Sequence, residues 1–433
     1  MLIGIDASRA NREKKSDTEW YSYYLIKELA KLDKTNRYVL YTDAPLIREL
    51  ADLTAKGNQP AKPDYKIEFD DDGFQKIRSP HNNFRAKVLR WPFKYLWTQG
   101  RLSLEMIFFR PEVLFVPSHT LPLIHPRKSI ITIHDVGFRR DQRLYEKLRM
   151  GPADWKQRTL LDFFVRLFTH GRFGANSEDY NIWSTIFGLR HAKRVITVSH
   201  FSKKEIIEVF GAERSLRGKL EKKINVVYNG YDEKICLDSA DAATKQATLY
   251  KYGIETPFIL YVGPLERKKN LTALLEAFAL MLERNKNIPH KLVLAGNASF
   301  GYDQIKYMIN QYNLDERVRK TGWIEEMDLP LIYNAADSFV FPSLYEGFGI
   351  PLLHAMACGV PVAASNATSI PEVAGDAAIY FDPTDVNSIS RSLELVCTDM
   401  ALRKRLVEKG QKRVVNFGWD ISARQTLQLI NQL

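Results

Sequence analysis

The residues with the most chemistry in this chain follow apolar runs. Phe339-Val340-Phe341-Pro342 leads into Glu346-Gly347-Phe348-Gly349, one carboxylate expected at the mouth of a glycine-flanked loop. Ile350-Pro351 can open a helix there, because proline suits a first helical turn where its missing N–H would be an orphan. The unpaired N–H groups of such a helix start suit an anion or hydroxyl oxygens. Gly347 and Gly349 let a ligand approach the backbone closely. A second cluster, Arg267-Lys268-Lys269, follows the apolar run 258–262 across Gly263-Pro264. Its charge suits a diphosphate, and the plainer alternative is a solvated charged face. A third, His134-Asp135, closes the run 129–133, with His119 after the run 113–116 as a weaker candidate.

Positioning such residues takes buried strands whose carboxyl ends carry the ligand chemistry, each followed by a helix, which is the plan of doubly wound α/β sheets. The chain reads that way throughout. Strands are expected at 2–6, 38–41, 65–69, 113–116, 129–133, 194–199 and 224–228, and then at 258–262, 291–295, 317–320, 339–341 and 361–364. A helix to about Leu32 has apolar positions Tyr23, Tyr24, Ile26, Leu29 and Leu32, and Asp17 or Thr18 can cap it. A helix from Ser202 is expected to start with a Ser202/Glu205 capping box. The helix from Leu271 keeps Leu274, Leu275, Phe278 and Leu282 on one face. A last helix begins near Asp420. The hinge between two domains is placed at 205–235, where Asn229-Gly230 signals a turn.

Two stretches fit this plan less well. In 76–102, Lys76, Arg78, Arg85, Lys87, Arg90 and Lys94 interleave with Phe84, Val88, Leu89, Trp91, Phe93, Leu96 and Trp97. Such a helix either lies on an anionic membrane surface or docks by its aromatic face, with Pro92 interrupting its period. Residues 150–178 have the character of an insertion, in which Leu160, Leu161, Phe164, Val165 and Phe168 form an apolar face.

The 433 residues leave room for two or three domains. Residues 1–200 hold 34 Lys+Arg against 23 Asp+Glu, which is the whole net charge of +11; the rest is balanced at 28 against 28. That excess is either a solubility surface or a surface for an anionic partner. No recognition helix, zinc pattern or stacking motif accompanies it, so nucleic acid is not expected. Three dispersed cysteines point to a reducing compartment without disulfides. No signal peptide and no membrane-spanning run is read. Walker A, complete Gly-x-Gly-x-x-Gly and Gly-x-Ser-x-Gly patterns are absent, and no Asp-x-Asp stretch is read as a metal motif.

The segment 338–383, with Gly263 to Asn270, His134-Asp135 and Gly322-Trp323, resembles the family 4 glycosyltransferases, the group 1 type that includes mannosyltransferases. The resemblance covers nearly the whole chain and is weakest at 43–110 and 142–180. It implies an α/β GT-B architecture of two Rossmann-like, doubly wound domains facing a central cleft. An acceptor-binding domain would span 1–215 and a nucleotide-sugar domain 216–416, with a helix at 417–433 crossing back to the first. It further implies a retaining, metal-independent hexosyl transfer, with no cofactor. The partners are a nucleotide-sugar donor, a glycan or lipid-linked acceptor and, as a further candidate, an anionic membrane surface.

By the same resemblance His134, Glu346 and Lys269 are the catalytic candidates. Asp17, Thr18, Lys268, Lys269, Glu346, Gly347, Phe348, Gly349, Ile350, Pro351 and His354 are the substrate-binding ones. Glu346 and the backbone to Ile350 would hold the donor sugar, the lysines its diphosphate, and His134 would contact the sugar. The chain departs from the family in two places. Asp17 occupies a glycine position beside the diphosphate, and His354 stands where a second glutamate holds the ribose. These departures motivate the alternative of a catalytically weak sugar-nucleotide-binding or scaffold homologue. An epimerase of the same fold would instead form product without acceptor. The location expected is cytoplasmic, peripheral at the inner membrane face, in polysaccharide biosynthesis.

Overall fold

The computed structural model describes residues 1–433 except 55–66, 93–95, 147–158, 160–161, 164, 167–170, 212–213 and 237–240. The chain divides into two compact units, Met1–Arg140 with Lys147–Asn229 and Trp419–Leu433, and Asp141–Glu146 with Gly230–Gly418.

The first unit holds an eight-stranded sheet. Its strands are β1 (Leu2–Asp6), β2 (Arg37–Thr42), β3 (Gln75–Lys76), β4 (Phe84–Val88), β5 (Val113–Val116), β6 (Ser129–Ile133), β7 (Arg194–Thr197) and β8 (Ile224–Val226). Their order is β3-β4-β2-β1-β5-β6-β7-β8, parallel throughout except for β3 against β4. The second unit holds a six-stranded parallel sheet of β9 (Phe258–Val262), β10 (Lys291–Ala295), β11 (Val318–Gly322), β12 (Ser338–Phe341), β13 (Val362–Ser365) and β14 (Ala378–Phe381). Its order is β11-β10-β9-β12-β13-β14. Both are doubly wound sheets of the 3-2-1-4-5-6 kind. The order reverses between β1 and β5 in one, and between β9 and β12 in the other, and such reversals open a crevice at the strands' carboxyl ends.

The strands form because they are continuous apolar runs, as buried parallel strands must be. Ile3, Ile5, Phe115, Ile130, Ile131, Phe258, Leu260, Phe339 and Phe341 are all essentially inaccessible. The C-terminal helix Trp419–Asn431 packs on the helix Asp17–Leu32 of its unit. There Trp419 stacks on Tyr24 at 5.3 Å, and Asn36 donates to Asn431 at 3.2 Å.

Several local expectations fail for identifiable reasons. The stretch 76–102 is not one amphipathic helix: its middle is β4, where Phe84 and Ala86 are buried and Arg85 and Lys87 alternate with them. That is a period of two, the strand signature, and β2 supplies the ladder. Lys87 is consumed by Glu105 at 2.5 Å, and the Trp97 indole N–H donates to the Leu89 carbonyl at 2.8 Å. The helix after β1 is opened by Ser16 rather than Asp17 or Thr18, with the Ser16 N–H donating to Glu19 at 3.1 Å. Likewise Ser199, not Ser202, caps the helix His200–Phe210, its hydroxyl accepting from the Ser202 N–H at 2.9 Å. Glu205 is unavailable as a box partner because Arg140 holds it at 2.6 and 2.8 Å. No strand forms at 67–69, where Phe69 makes only an isolated bridge to Gln75; residues 65–66 lie outside the described residues. So does most of the apolar face drawn through Leu160, Leu161, Phe164 and Phe168.

At the amino-terminal ends of the second sheet, Asp337 joins three elements. His290, just before β10, donates to it, and Arg403 from the helix Met400–Val414 binds both carboxylate oxygens at 2.8 and 2.9 Å. The His290 hydrogen bond, then Arg403, hold the half-buried Asp337 carboxyl well below the usual carboxylate range against the cost of burial. A depressed folded pKa contributes stability that is present above the unfolded value and lost as pH falls through the folded one. Asp337→Asn is therefore expected to cost about 1–2 kcal/mol at pH 7. Denaturant titrations should show this difference shrink below about pH 4. An equal deficit at pH 3 would show that the carboxylate charge is not what matters.

Candidate functional site

In the second unit, the loops leaving β9 and β12 flank the point where the strand order reverses. After β9 the chain turns at Gly263 and makes a single tight turn, Arg267–Lys269. It leaves that turn through Asn270, which is left-handed (φ 58°) and ties the loop down by donating to the Pro383 carbonyl at 2.7 Å. After β12, the Leu344 N–H donates to the Lys268 carbonyl at 2.9 Å, so the two loops are stitched together.

That stitching brings Lys269 against Glu346. The ammonium and carboxylate meet at 2.6 Å, and the residues are only 5% and 6% exposed. The carboxylate is thus interior, not at the loop mouth. Burial alone would raise its pKa, but Lys269 and then Lys268 hold it below the ordinary glutamate range. Its backbone is fixed as well. The Glu346 N–H donates to Thr368 Oγ1 at 3.2 Å, and the fully buried Ser369 hydroxyl reaches the carbonyls of Glu346 (2.9 Å) and Phe348 (3.2 Å). Lys268 is half-buried, 3.5 Å from Glu266.

The glycine loop runs directly into the helix Ile350–Ala357. Gly349 has φ +106°, and a Cβ there would lie 3.1 Å from Leu352 and 3.3 Å from Phe341, so glycine is required. Phe348 is buried with its ring edge-on to Phe417 at 5.8 Å. Ile350 is buried and Pro351 sits in the first turn. His354, one turn on, packs edge-on against Tyr333 at 5.8 Å. Burial lowers its pKa to about 4, opposed in part by Asp232. Position 354 therefore carries a neutral imidazole.

In the first unit, His134 follows β6. Its Nε2 lies 3.4 Å from the Pro117 carbonyl, and its ring meets Tyr21 edge-on at 4.7 Å. Burial brings its pKa down to about 4. His119, after β5, is pushed to about 3 by burial and then by Arg9, and its Nε2 is buried without a hydrogen-bond partner. Asp135 accepts from the Gly137 N–H at 3.0 Å. Asp17 is exposed on the first turn of its helix, where the positive end of the helix dipole favours a carboxylate, and Thr18 beside it is half-buried.

The structure thus gathers Lys268, Lys269, Glu346 and the 347–351 backbone at one crevice, with His354 on the helix that leaves it. His134, Asp17 and Thr18 belong to the other unit. Sequence reasoning missed Tyr21, which is fully buried, bonds Thr132 Oγ1 at 3.1 Å and orients His134. Its i, i+4 spacing to Leu25 and Leu29 was the available signal. Thr368 was missed too, and nothing in its residue type announces its positive φ of 58°.

Residues 244–413 match the family described as glycosyl transferases group 1. The chain is 31% identical over 333 residues to the O-antigen chain mannosyltransferase B of Escherichia coli, covering 76% of this chain and 82% of that protein. It is 30% identical over 292 residues to the serotype-specific mannosyltransferase WbdA of Escherichia coli, 65% of this chain but 34% of that protein. Anabaena Alr3699/HepE in complex with UDP and glucose is similar in fold. Its TM-score is 0.63 at 15% identity, over 100% of this chain and 99% of that one.

The three depressed histidines, His119, His134 and His354, imply an acid sensitivity. Once unfolded, each takes up a proton near pH 6.5 that it refuses when folded. Stability should therefore fall as pH drops from 7 to 5. His354→Gln should flatten that fall for the second unit in thermal melts. A pH dependence unchanged by the substitution would mean that His354 takes up its proton as readily in the fold as in the unfolded chain.

Proposed function

The chain belongs to the glycosyl transferases group 1 and has the two-unit α/β GT-B fold. We propose that within that family it transfers mannose from a nucleoside diphosphate donor to a hydroxyl of a glycan or lipid-linked acceptor, with retention and without a metal. The observation that carries this reading is the buried Lys269–Glu346 pair at the switch point of the second sheet. The sequence similarity to mannosyltransferases over most of the chain supports the sugar assigned.

In this reading the donor diphosphate lies against Lys268 and Lys269. An ammonium has three N–H donors, so Lys269 can hold Glu346 and a phosphate oxygen together. The positive charge is fixed before the reaction and meets the negative charge that builds on the leaving phosphate. Glu346 accepts from hydroxyls of the sugar, and the backbone of Gly347 to Ile350 lines its approach. The bond from the anomeric carbon to phosphate breaks, a bond to the acceptor oxygen forms on the same face, and the acceptor proton leaves with the phosphate. His134 of the first unit, neutral and oriented by Tyr21, has a ring nitrogen that can bond a hydroxyl without adding charge. Trp323 after β11 is 44% exposed and is assigned to stack on the nucleobase.

The neutral His354 and the carboxylate of Asp17 favour a second reading, a binding homologue with little turnover. The two separate on one experiment. Nucleoside diphosphate sugars are screened by thermal shift, and diphosphate release is then followed with and without acceptor. A mannose donor should raise the melting temperature in the presence of EDTA, and release should require acceptor. Binding without release would select the second reading. Lys269→Ala and Glu346→Ala should each lower kcat/KM by about 10²–10³-fold. Turnover at the parent rate in either variant would remove that residue from the site.

A further inference from the structure

We propose that the outer side of the helix Ser103–Phe108, together with the 123–124 loop, is a docking surface for an anionic lipid bilayer. Leu104, Ile107 and Phe108 recur at helical spacing, and all three are exposed. Phe108 is 75% exposed, and Phe109 after it is 58% exposed. Leu123 and Ile124, also exposed, are tied alongside: the Leu123 N–H donates to Ser103 Oγ at 2.8 Å. The helix buries its other side through Met106 and Glu105. Leu104, Ile107 and Phe108 with Leu123 and Ile124 therefore form a cluster of exposed large apolar side chains, and Phe109 at its edge carries the Lys87 ammonium 3.4 Å from its ring centroid.

Charge selects the occupant. The one acid of the helix, Glu105, is buried and neutralised by Lys87 at 2.5 Å and Arg101 at 3.1 Å. The rim cations Arg110, Arg127 and Lys128 form no ion pair among the described residues. His125, between Ile124 and Arg127, meets the His191 ring at 6.3 Å, and its pKa is lowered by burial against the opposing Pro126 hydrogen bond, with Arg110 and Lys223 near enough for their charges to add to the lowering. Lys223 is itself held to about 8 by burial and the nearby Lys193. A second copy of the chain is a poor occupant, because a two-fold contact would set this cationic rim against itself. Phosphate headgroups supply the missing anions while the phenylalanines enter the acyl boundary, and each term strengthens the other. Phe109 and Arg110 lead into the amino end of β5, whereas His119 and His134 follow carboxyl ends. Docking here leaves that crevice uncovered.

The test uses the full chain and needs no donor, so it stands apart from the proposed transfer. Co-sedimentation is measured with phosphatidylcholine vesicles and with vesicles containing an equal share of phosphatidylglycerol. Binding is expected to the anionic vesicles alone. Phe108→Ser/Phe109→Ser and Arg127→Glu/Lys128→Glu should each weaken it about tenfold or more, with melting temperature unchanged because the side chains are exposed. Equal binding to neutral vesicles, no binding to either, or unaltered binding by both variants would overturn the proposal. So would a wild-type dimer that Phe108→Ser/Phe109→Ser converts to monomer, since the surface would then be a contact between copies.

Discussion

A lysine and a glutamate, both almost inaccessible, meet at 2.6 Å where two loops of the second sheet converge. Neither charge would be tolerated there alone, since removing an ion from water costs several kcal/mol that only a well-placed partner offsets. The pair therefore dictates its surroundings. Leu344 must reach the Lys268 carbonyl, Ser369 must hold the Glu346 backbone, and Gly349 must turn left-handed so that the helix can begin at once. Replacing the pair with apolar residues would be gentler on stability. A buried ion pair is a costly way to join two loops, and its use at a switch point is what makes the place a candidate site.

The second sheet separates its tasks by strand end. At the carboxyl ends of β9 and β12, Lys269 and Glu346 face each other on loops tied by Asn270, Leu344, Thr368 and Ser369. At the amino ends, His290, Asp337 and Arg403 form an aspartate-centred cluster that looks catalytic as a set of residue types. Its Arg403 grips the carboxylate with two parallel bonds, and all its members are committed to one another. It pins β10, β12 and the helix Met400–Val414. Position in the sheet, not residue type, separates the two clusters, because only the reversal of strand order opens a crevice at the carboxyl side.

Most strands of both sheets were legible in the sequence because a buried parallel strand is an unbroken apolar run, whereas β3, β4 and β14 were not expected; most of the candidate site was legible because its residues directly follow such runs. What was not legible depended on partners far away in the chain. Ser202 and Glu205 carry the letters of a capping box, yet Arg140 takes the glutamate and Ser199 takes the cap. The 84–88 stretch has an unambiguous period of two, but the basic and aromatic residues around it drew attention to a helical surface. Glu346 was recognisable as a candidate ligand residue, while its burial was not, because burial follows from Lys269 lying 77 residues earlier. Tyr21 was hidden beside Trp20, Tyr23 and Tyr24, and only its spacing to Leu25 and Leu29 marked it as facing the core.

The histidine at 354 is consistent with its neighbours. Asp232 lies close enough for its charge to oppose the effect of burial on the ring. Asp232 is only partly buried, and a glutamate at 354 would place a like charge within reach of it, which disfavours the ionised form of that glutamate. An imidazole avoids the conflict: it stays neutral, keeps a donor and an acceptor, and lies edge-on to Tyr333. In the proposed site it can still bond a ribose hydroxyl, giving up the stronger hydrogen bond to a charged acceptor. At position 354 a neutral imidazole thus avoids a like charge next to Asp232. That makes the departure an accommodation to a local charge, and it weighs against reading it as the decay of a donor site.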